Sequence, residues 1–442
     1  MPLNSAPYTG WGRVLSANAG RARPEKVAAL RRHLAETPGP ALGALRSYGD
    51  AALSGRRAAV DMTRLDRMLA FDPQTGVLEA EAGVRLSDIL AHMAPRGWMP
   101  AVLPGTGHVT LGGAIAADVH GKNHHQIGSF GQHVESLRLL GPDGTPREVS
   151  GDTEPELFRA TLGGMGLTGV IESAAIRLAP CPSGTVEVSE RRIAGLDAYL
   201  DAFAASTAPF QVGWIDATAS GEALGRGVLE EAEFSPPGAP YVPARKHRAI
   251  PMDAPGFLLS GAVVRAFNTR YFRRIPAAGR SRRRPLAGFL FPLDSLSGWN
   301  RLYGKRGFHQ FQCVLPTDTA RDTLRAMLSE IAASGLAAPL AVLKRMGPGR
   351  AGPLSFPMQG YTLAVDFPAR PAAAALIARL VERTADAGGR VYLAKDSLAR
   401  PEHVARMYPE LDSFRASVRA ADPDGVFETD LARRLALRGN SA

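Results

Sequence analysis

Cysteine is almost absent: Cys181 and Cys313 are the only two in 442 residues. That scarcity excludes a disulfide framework and a thiolate metal cluster. It fits a reducing compartment, with a single disulfide left open. Aromatic residues make up 7%, and no stretch reaches the roughly 18 apolar residues of a membrane-spanning helix. Met1–Gly10 has no apolar signal-peptide core. Acidic side chains are outnumbered, 42 Asp plus Glu against 52 Lys plus Arg, for a net charge of +10. The excess is local. Seven arginines fall between Arg270 and Arg284 while the rest lies closer to neutral, which argues against a broad nucleic-acid face.

What is present is ordinary globular material, 45% hydrophobic and 21% charged, with a length that predicts two or three domains. The 47 Gly and 34 Pro have no collagen period and predict many turns and long loops. Apolar spacing predicts helices over 24–35, over LSDILAHMA with a Ser cap, and over 196–205. It also predicts two long helices, TARDTLRAMLSEIAASG stopped by Gly335 and PAAAALIARLVERTADAGG. VESLRLL, the turn GPDG and TPREVS read as a hairpin. DTEPELFRATLGGMG reads as a capped helix ending at Gly, followed by the strand GVIESAAIRLAP. Further strands are expected at 208–215, 309–316, 339–347 and 360–367, whereas 219–295 lacks clear periodicity and is expected to hold long loops. The order strand, helix, strand, helix after 309 predicts an antiparallel sheet covered by helices, hence an α+β class. Residues 1–12 are expected as an irregular lead-in and 401–442 as mostly helical. The expected domains are 10–178, 179–400, and a C-terminal segment 401–442.

Glycine punctuates 103–134 with little side-chain bulk: Gly105, Gly107, Gly112 and Gly113 follow Pro104. Such backbone can approach a flat or phosphorylated ligand, and its N–H groups can form an anion nest. It is neither a G-x-G-x-x-G dinucleotide fingerprint nor a Walker loop. His120, His124 and His125 have no nearby carboxylate or cysteine at ligand spacing, so no metal is expected. His120 can donate to a ring or phosphate and Lys122 can supply a fixed charge, solvated loop residues being the other reading of both.

Six segments together resemble the vanillyl-alcohol-oxidase/p-cresol-methylhydroxylase superfamily of FAD enzymes, nearest to its decaprenylphosphoryl-β-D-ribose 2-oxidase family. They are RSYGDAAL at 46–53, LPGTGHVTLGGAIAADVHGKNHHQIGSFGQHV at 103–134 and GGMGLTGVI at 163–171. They continue with LKRMGPGRAGPLSFPMQGY at 343–361, YLAKDS at 392–397 and DPDGVFETDLARRL at 422–435. The resemblance implies a two-domain FAD-binding PCMH-type fold with an antiparallel-sheet substrate domain, the C-terminal segment returning to the FAD domain. It implies that Arg46, Ser47, Tyr48 and Gly49 line the pyrophosphate or ring side. Gly105, Thr106, Gly107, His108, Gly112, Ala117, His120 and Gly121 would line the cofactor channel, and Asn123, Gly128 and Ile171 would add contacts. Many relatives attach FAD through a histidine where this chain has Arg46, so noncovalent FAD is expected.

The resemblance further implies oxidation of a secondary alcohol, with hydride passing to flavin N5 and a base receiving the hydroxyl proton. Tyr48, His120, Tyr303, Gln310, Gln312, Lys344 and Lys395 are the candidates beside the substrate or ring. Gln310 and Gln312 share a face if on a strand and can read sugar hydroxyls, an exposed sheet face being the other reading. The family pattern places an Asn and a Cys where this chain has Thr362 and Ala364, and a Lys where alignment of SVRAADP puts Ala420. Loss of that lysine is expected to remove a catalytic or phosphate-binding charge. The leading expectation is oxidation of the 2-hydroxyl of a polyprenyl-phosphate pentose, partnered by an NAD(P)-dependent reductase. A sugar-lactone or other alcohol oxidase and a noncatalytic flavin-binding or membrane-associated partner protein are the alternatives. The basic stretch 270–284 can touch anionic lipid or a polyprenyl phosphate, a solvated loop being the other reading; as a candidate membrane contact it makes the expected location cytoplasmic or peripheral at the inner face of the cell membrane.

Overall fold

A computed structural model of the chain describes residues 3, 6–243 and 248–439. Parts of three expected segments lie outside the described residues: 1–2 and 4–5 of the lead-in, 244–247 of the expected loops and 440–442 of the C-terminal segment.

The N-terminal half is built on β1 (Met68–Asp72), β2 (Val77–Glu81), β3 (Trp98–Pro100), β4 (Val134–Leu140), β5 (Pro146–Ser150) and β6 (Val170–Pro180). Their order is β5-β4-β6-β2-β1, with β3 beside the end of β6, and all neighbours run antiparallel. The hairpin expected around GPDG is β4–β5. Helices α1 (Val27–Glu36), α2 (Leu86–Met93) and α3 (Leu111–Ala116) share its core. In α2 the apolar residues Leu86, Ile89, Leu90 and Met93 recur at helical spacing and all are buried. Each such side chain contributes about 1.5–3 kcal/mol relative to exposure. The helix does not start on a serine cap. Arg85 is its N-cap, without a side-chain bond, and Ser87 sits inside the first turn with its hydroxyl on Asp88. A small parallel sheet of Arg21–Ala22, Ala59–Asp61 and Ala41–Leu42 launches the loop that follows Leu42. Helix α4 (Pro155–Thr161) precedes β6.

Between Pro180 and Thr185 the chain passes to an eight-stranded sheet. Its strands are β7 (Thr185–Ile193), β8 (Phe210–Ile215), β9 (Gly227–Phe234), β10 (Arg280–Pro285), β11 (Phe308–Pro316), β12 (Ala341–Met346), β13 (Gly360–Pro368) and β14 (Arg390–Val391). They are ordered β10-β7-β9-β8-β12-β13-β11-β14 with antiparallel neighbours throughout. Helices α5 (Leu196–Ala205), α6 (Gly261–Arg273), α7 (Thr317–Ser334) and α8 (Pro371–Asp386) accompany it. The odd-numbered residues Phe311, Cys313, Leu343, Leu363, Val365 and Phe367 share one core with Leu324, Met327 and Leu328 of α7 and Leu376 and Leu380 of α8. Because strand side chains alternate, the even-numbered residues face the other way, toward the N-terminal half. Both cysteines are free and buried.

The expectation of long loops over 219–295 is corrected by β9, α6 and β10. β10 reads RSRRRP and has no apolar periodicity to detect. Its arginines find carboxylates on the neighbouring strands instead: Arg282 on Glu190, Arg283 on Glu187 and Arg284 on Glu230. The basic stretch 270–284 is thus the end of a helix and a paired edge strand. GRVYLAKD forms only the short strand β14 and then a turn closed by the Lys395 N–H donating to the Tyr392 carbonyl.

Of the C-terminal helices, α9 (Pro401–Met407) packs on α8 and β14 of the large-sheet half, α10 (Leu411–Ala421) meets α4 of the N-terminal half, and α11 (Asp430–Arg434) reaches the loop that carries Asp50. Arg434 pairs with Asp50 at 2.7 Å and with Asp396 at 2.9 Å, and Val426 and Phe427 enter the first core.

Candidate active site

A cavity of about 830 Å³ lies between the two halves. That is within the roughly 300–1,000 Å³ of small-molecule and cofactor sites. One wall is the loop after Leu42, carrying Arg46, Ser47 and Tyr48, together with the glycine block and Met165, Gly166 and Ile171. The other wall is the even-numbered face of the large sheet. Register fixes this: Gln312 pairs with Ala364, Ala364 with Val342, Val342 with Trp214, and one step along β8 Val212 pairs with Glu230. All six line the cavity, as do Gln310 and Lys344.

Small residues make the first wall a cradle. A Cβ built on Gly105 or Gly166 meets no protein atom within 4 Å, and Gly166 has φ +77, so side-chain space at both positions is cavity space. Gly43 is forced for a different reason: its Cβ would lie 2.3 Å from the Thr110 hydroxyl. A bare, flat, partly cationic trough of this kind fits the ring and pyrophosphate of a dinucleotide. Arg46 supplies charge. Its guanidinium lies 4.2 Å from the Trp11 ring centre, and burial lowers its pKa, with the Asp294 carboxylate opposing that shift.

The catalytic candidates divide by position. Tyr48, His120, Gln310, Gln312, Lys344 and Lys395 line the cavity. Tyr303 does not. It stacks on Phe308 at 4.0 Å and donates to Asp366 at 2.7 Å. Gln310 also donates to Asp366, at 2.6 Å, and shares a hydrogen bond with the Tyr48 hydroxyl. Lys395 Nζ sits 3.6 Å over the Tyr48 ring. Gln312 donates to Thr362 at 3.3 Å and its amide nitrogen lies 3.2 Å from His120 Nε2. Burial, then the charges of Lys344, His124 and Lys395, hold His120 well below the usual imidazole range, so the ring is neutral. Burial pulls Lys344 down to about 8 and Lys395 to about 7, while it pushes Asp366 up to about 7.

Of the cofactor candidates, Arg46, Ser47, Tyr48, Gly105, Thr106, His108, Gly112, Ala117, His120, Gly121 and Ile171 line the cavity. Gly49, Gly107, Asn123 and Gly128 do not. A Cβ on Gly49 would strike the Asp396 carbonyl at 1.9 Å, so this glycine serves close packing. The Gly107 N–H donates to Asp294 at 2.7 Å, tying the glycine block to the segment after Phe291. Asn123 donates to the Ala101 carbonyl at 2.8 Å, and Gly128 turns at φ +82 against Gln132. Ala420 is exposed on α10 and does not line the cavity, so the expectation that an alanine here removes a catalytic or phosphate-binding charge from the site is corrected. Lys122, Lys344 and Lys395 line the cavity instead. Among the described residues no group of three His, Cys, Asp or Glu is placed to hold a metal.

Several lining residues had no sequence signal: Trp214, Glu230 and Asp294 join the cavity only through register and tertiary contact, whereas Arg274 lies in the basic stretch 270–284. Asp366 did carry one. It is a lone carboxylate in the apolar strand GYTLAVDFP, two and four residues from Ala364 and Thr362 and on their face.

A glycine-lined channel facing a polar sheet wall defines a flavin-binding oxidoreductase. Residues 22–150 match the family described as FAD binding domain. The decaprenylphosphoryl-β-D-ribose oxidase of Mycolicibacterium smegmatis is 35% identical over 457 aligned positions, covering 99% of this chain and 98% of that one. A Streptomyces coelicolor protein, described as uncharacterized and in the mprA 5′ region, is 39% identical over 78% of this chain and 97% of its own length. A D-arabinono-1,4-lactone oxidase of Yarrowia lipolytica is 28% identical over 27% of this chain and 24% of its own. The chain belongs to the vanillyl-alcohol-oxidase/p-cresol-methylhydroxylase family of FAD-dependent oxidoreductases acting on CH–OH groups, in the branch of the mycobacterial oxidase. Its FAD is held noncovalently. No helix among the described residues is long and apolar enough to cross a membrane.

Proposed function

We propose that the chain oxidises the 2-hydroxyl of a polyprenyl-phosphate pentose to a ketone, as the oxidase half of a 2-epimerase completed by a separate NAD(P)-dependent reductase. The observation that carries this reading is the even-numbered sheet face. Two amides, an amine and the adjoining His120 imidazole converge across from the glycine-lined channel, a wall suited to a small, hydroxyl-rich ring. The name of the M. smegmatis relative, alike over nearly the full length of both chains, supports the lipid-phosphate sugar. The lactone oxidase supports it less as a rival: its match is too short to hold both Arg46 and Gln310.

Bound FAD supplies the two-electron acceptor. Lys344, its amine lowered to about 8 by burial, accepts the proton of the reacting hydroxyl. Gln310 and Gln312 orient the sugar hydroxyls, Gln310 being fixed by Asp366 and Gln312 by His120 and Thr362. Lys395 and Tyr48 form a second polar station beside them. A peripheral contact with an anionic membrane falls to α6, where Val263 and Phe267 are exposed and Arg270 and Arg273 occupy the last turn.

Anaerobic mixing of the FAD-loaded protein with farnesylphosphoryl-β-D-ribose, and separately with aldonolactones, tests the reading. The expected result is bleaching of the flavin by the phosphoryl riboside with formation of its 2-keto product. Bleaching by lactones alone would overturn it.

A further inference from the structure

The proposed reaction leaves one end of the cavity without a task. There Arg282 and Arg284 of β10 and Arg274 after α6 line the wall beside Glu230. Two carboxylates hold them. Arg282 lies 2.8 Å and Arg280 2.7 Å from the fully buried Glu190, Arg284 lies 3.4 Å from Glu230, and Arg274 is 3.8 Å from each. Four guanidinium groups therefore share two carboxylates, and the cluster keeps a positive surplus. Guanidinium matches phosphate geometry and is weakly hydrated, so a prearranged group of this kind is suited to a phosphate. The pairing glutamates set the arginine side chains in advance, which lowers the ordering cost of binding.

Position adds a second argument. The backbone of β10 is four strand spacings from Lys344 on β12, whereas Glu230 on β9, the carboxylate that the Arg274 and Arg284 side chains approach, is two spacings away, about 10 Å between backbones. That separation accommodates a sugar ring between a reacting hydroxyl and a glycosidic phosphate. From the same end an aromatic series leads outward. Cavity-lining Trp214 meets Tyr271 at 4.6 Å, and Tyr271 stacks on Phe267 at 5.9 Å, whose ring is 49% exposed. An apolar tail leaving along that path stays in contact with aromatic carbon.

We infer that Arg274, Arg282 and Arg284 form the phosphate subsite of this cavity, taking the phosphate of an amphiphile whose apolar tail leaves over Trp214, Tyr271 and Phe267. The inference rests on the proposed glycosyl-phosphate substrate for the sugar, and on this cluster alone for the anion. The test is calorimetric titration of the FAD-loaded protein with n-octyl phosphate, which has the charge and a tail but no oxidisable hydroxyl, with inorganic phosphate as the second arm. Octyl phosphate is expected to bind at one site, at least about tenfold more tightly than inorganic phosphate. The double variant Arg282→Gln/Arg284→Gln is expected to weaken it by about tenfold or more. Glu230→Gln, which removes a neutralising carboxylate, is expected to tighten it. Absence of binding to the wild-type protein, equal affinity for inorganic phosphate, or unchanged affinity in a double variant with full FAD content would each overturn the subsite. Binding of octyl phosphate without flavin bleaching by any phosphoryl pentose would uphold the subsite and remove the sugar assignment.

Discussion

Replacing Arg434 by methionine removes the cation that joins α11 to the cofactor loop while keeping most of the apolar stem. Arg434 donates to both oxygens of Asp50 at 2.7 and 2.8 Å, pairs with Asp396 at 2.9 Å and donates to the Ala399 carbonyl at 2.6 Å. Both carboxylate side chains are 6% exposed. Burial works against the guanidinium charge, but hydrogen bonding to Asp50 and attraction to Asp396 outweigh it and raise the Arg434 pKa. The variant strands two buried carboxylates, at a cost of about 3–5 kcal/mol. With roughly 2 cal/mol/K of unfolding entropy per residue, a chain of 442 residues loses about 1 °C per kcal/mol. The expected fall in Tm is therefore about 3–5 °C. Asp50 directly follows the Arg46–Gly49 stretch, so flavin fluorescence should appear at the lowered temperature, cofactor and fold being lost together. A thermal scan following both flavin and tryptophan emission measures this. Adding Asp50→Asn should recover part of the loss, since one stranded charge is removed. A Tm shift under about 1 °C with full FAD occupancy in Arg434→Met would refute the reasoning.

Lys344→Met should slow anaerobic flavin reduction by about a hundredfold or more while FAD content stays near that of wild type, as stopped-flow mixing would show. With Lys344 at about 8, the amine is protonated below that pH and accepts no proton, so the wild-type reduction rate should climb as pH rises through 8. The Lys344→Met profile should lose that limb, and a limb that survives would assign the titration elsewhere. Gly105→Leu places its side chain in cavity space that no protein atom occupies, so a folded apoprotein with at least about tenfold weaker FAD binding is expected by fluorescence titration. Tyr303→Phe withdraws one of the donors to Asp366, which should raise KM for the sugar more than it lowers kcat, because Gln310 loses its fixed partner's orientation.

Local signals made part of this molecule legible. Helical spacing was visible in α2 because its core face is wholly apolar, and the GPDG turn announced β4–β5 because turn chemistry is local. The glycine block announced a ligand because its residues lack bulk, and six motifs in family order named the cofactor. The wall opposite was harder to read. That Trp214 and Glu230 share a surface with Val342 and Gln312 depends on the pairing of β8 with β12, strands more than 100 residues apart, which no window of sequence contains. β10 escaped for the opposite reason, since its partners are charges and hydrophobic periodicity is silent about them. Gly49 and Gly107 show the converse error. Small residues in a motif can be required by packing behind a channel as much as by the ligand within it.

The alternation within the large sheet separates two selective pressures along each strand. Odd positions such as Leu343 and Leu363 answer to the stability of the helical layer, whereas even positions such as Val342 and Ala364 answer to whatever occupies the cavity. A library confined to cavity-lining even positions such as Val342 and Ala364 can therefore retune which alcohol is accepted, whereas even positions such as Val188, Phe210 and Val314 are buried in the two cores and must be kept for stability.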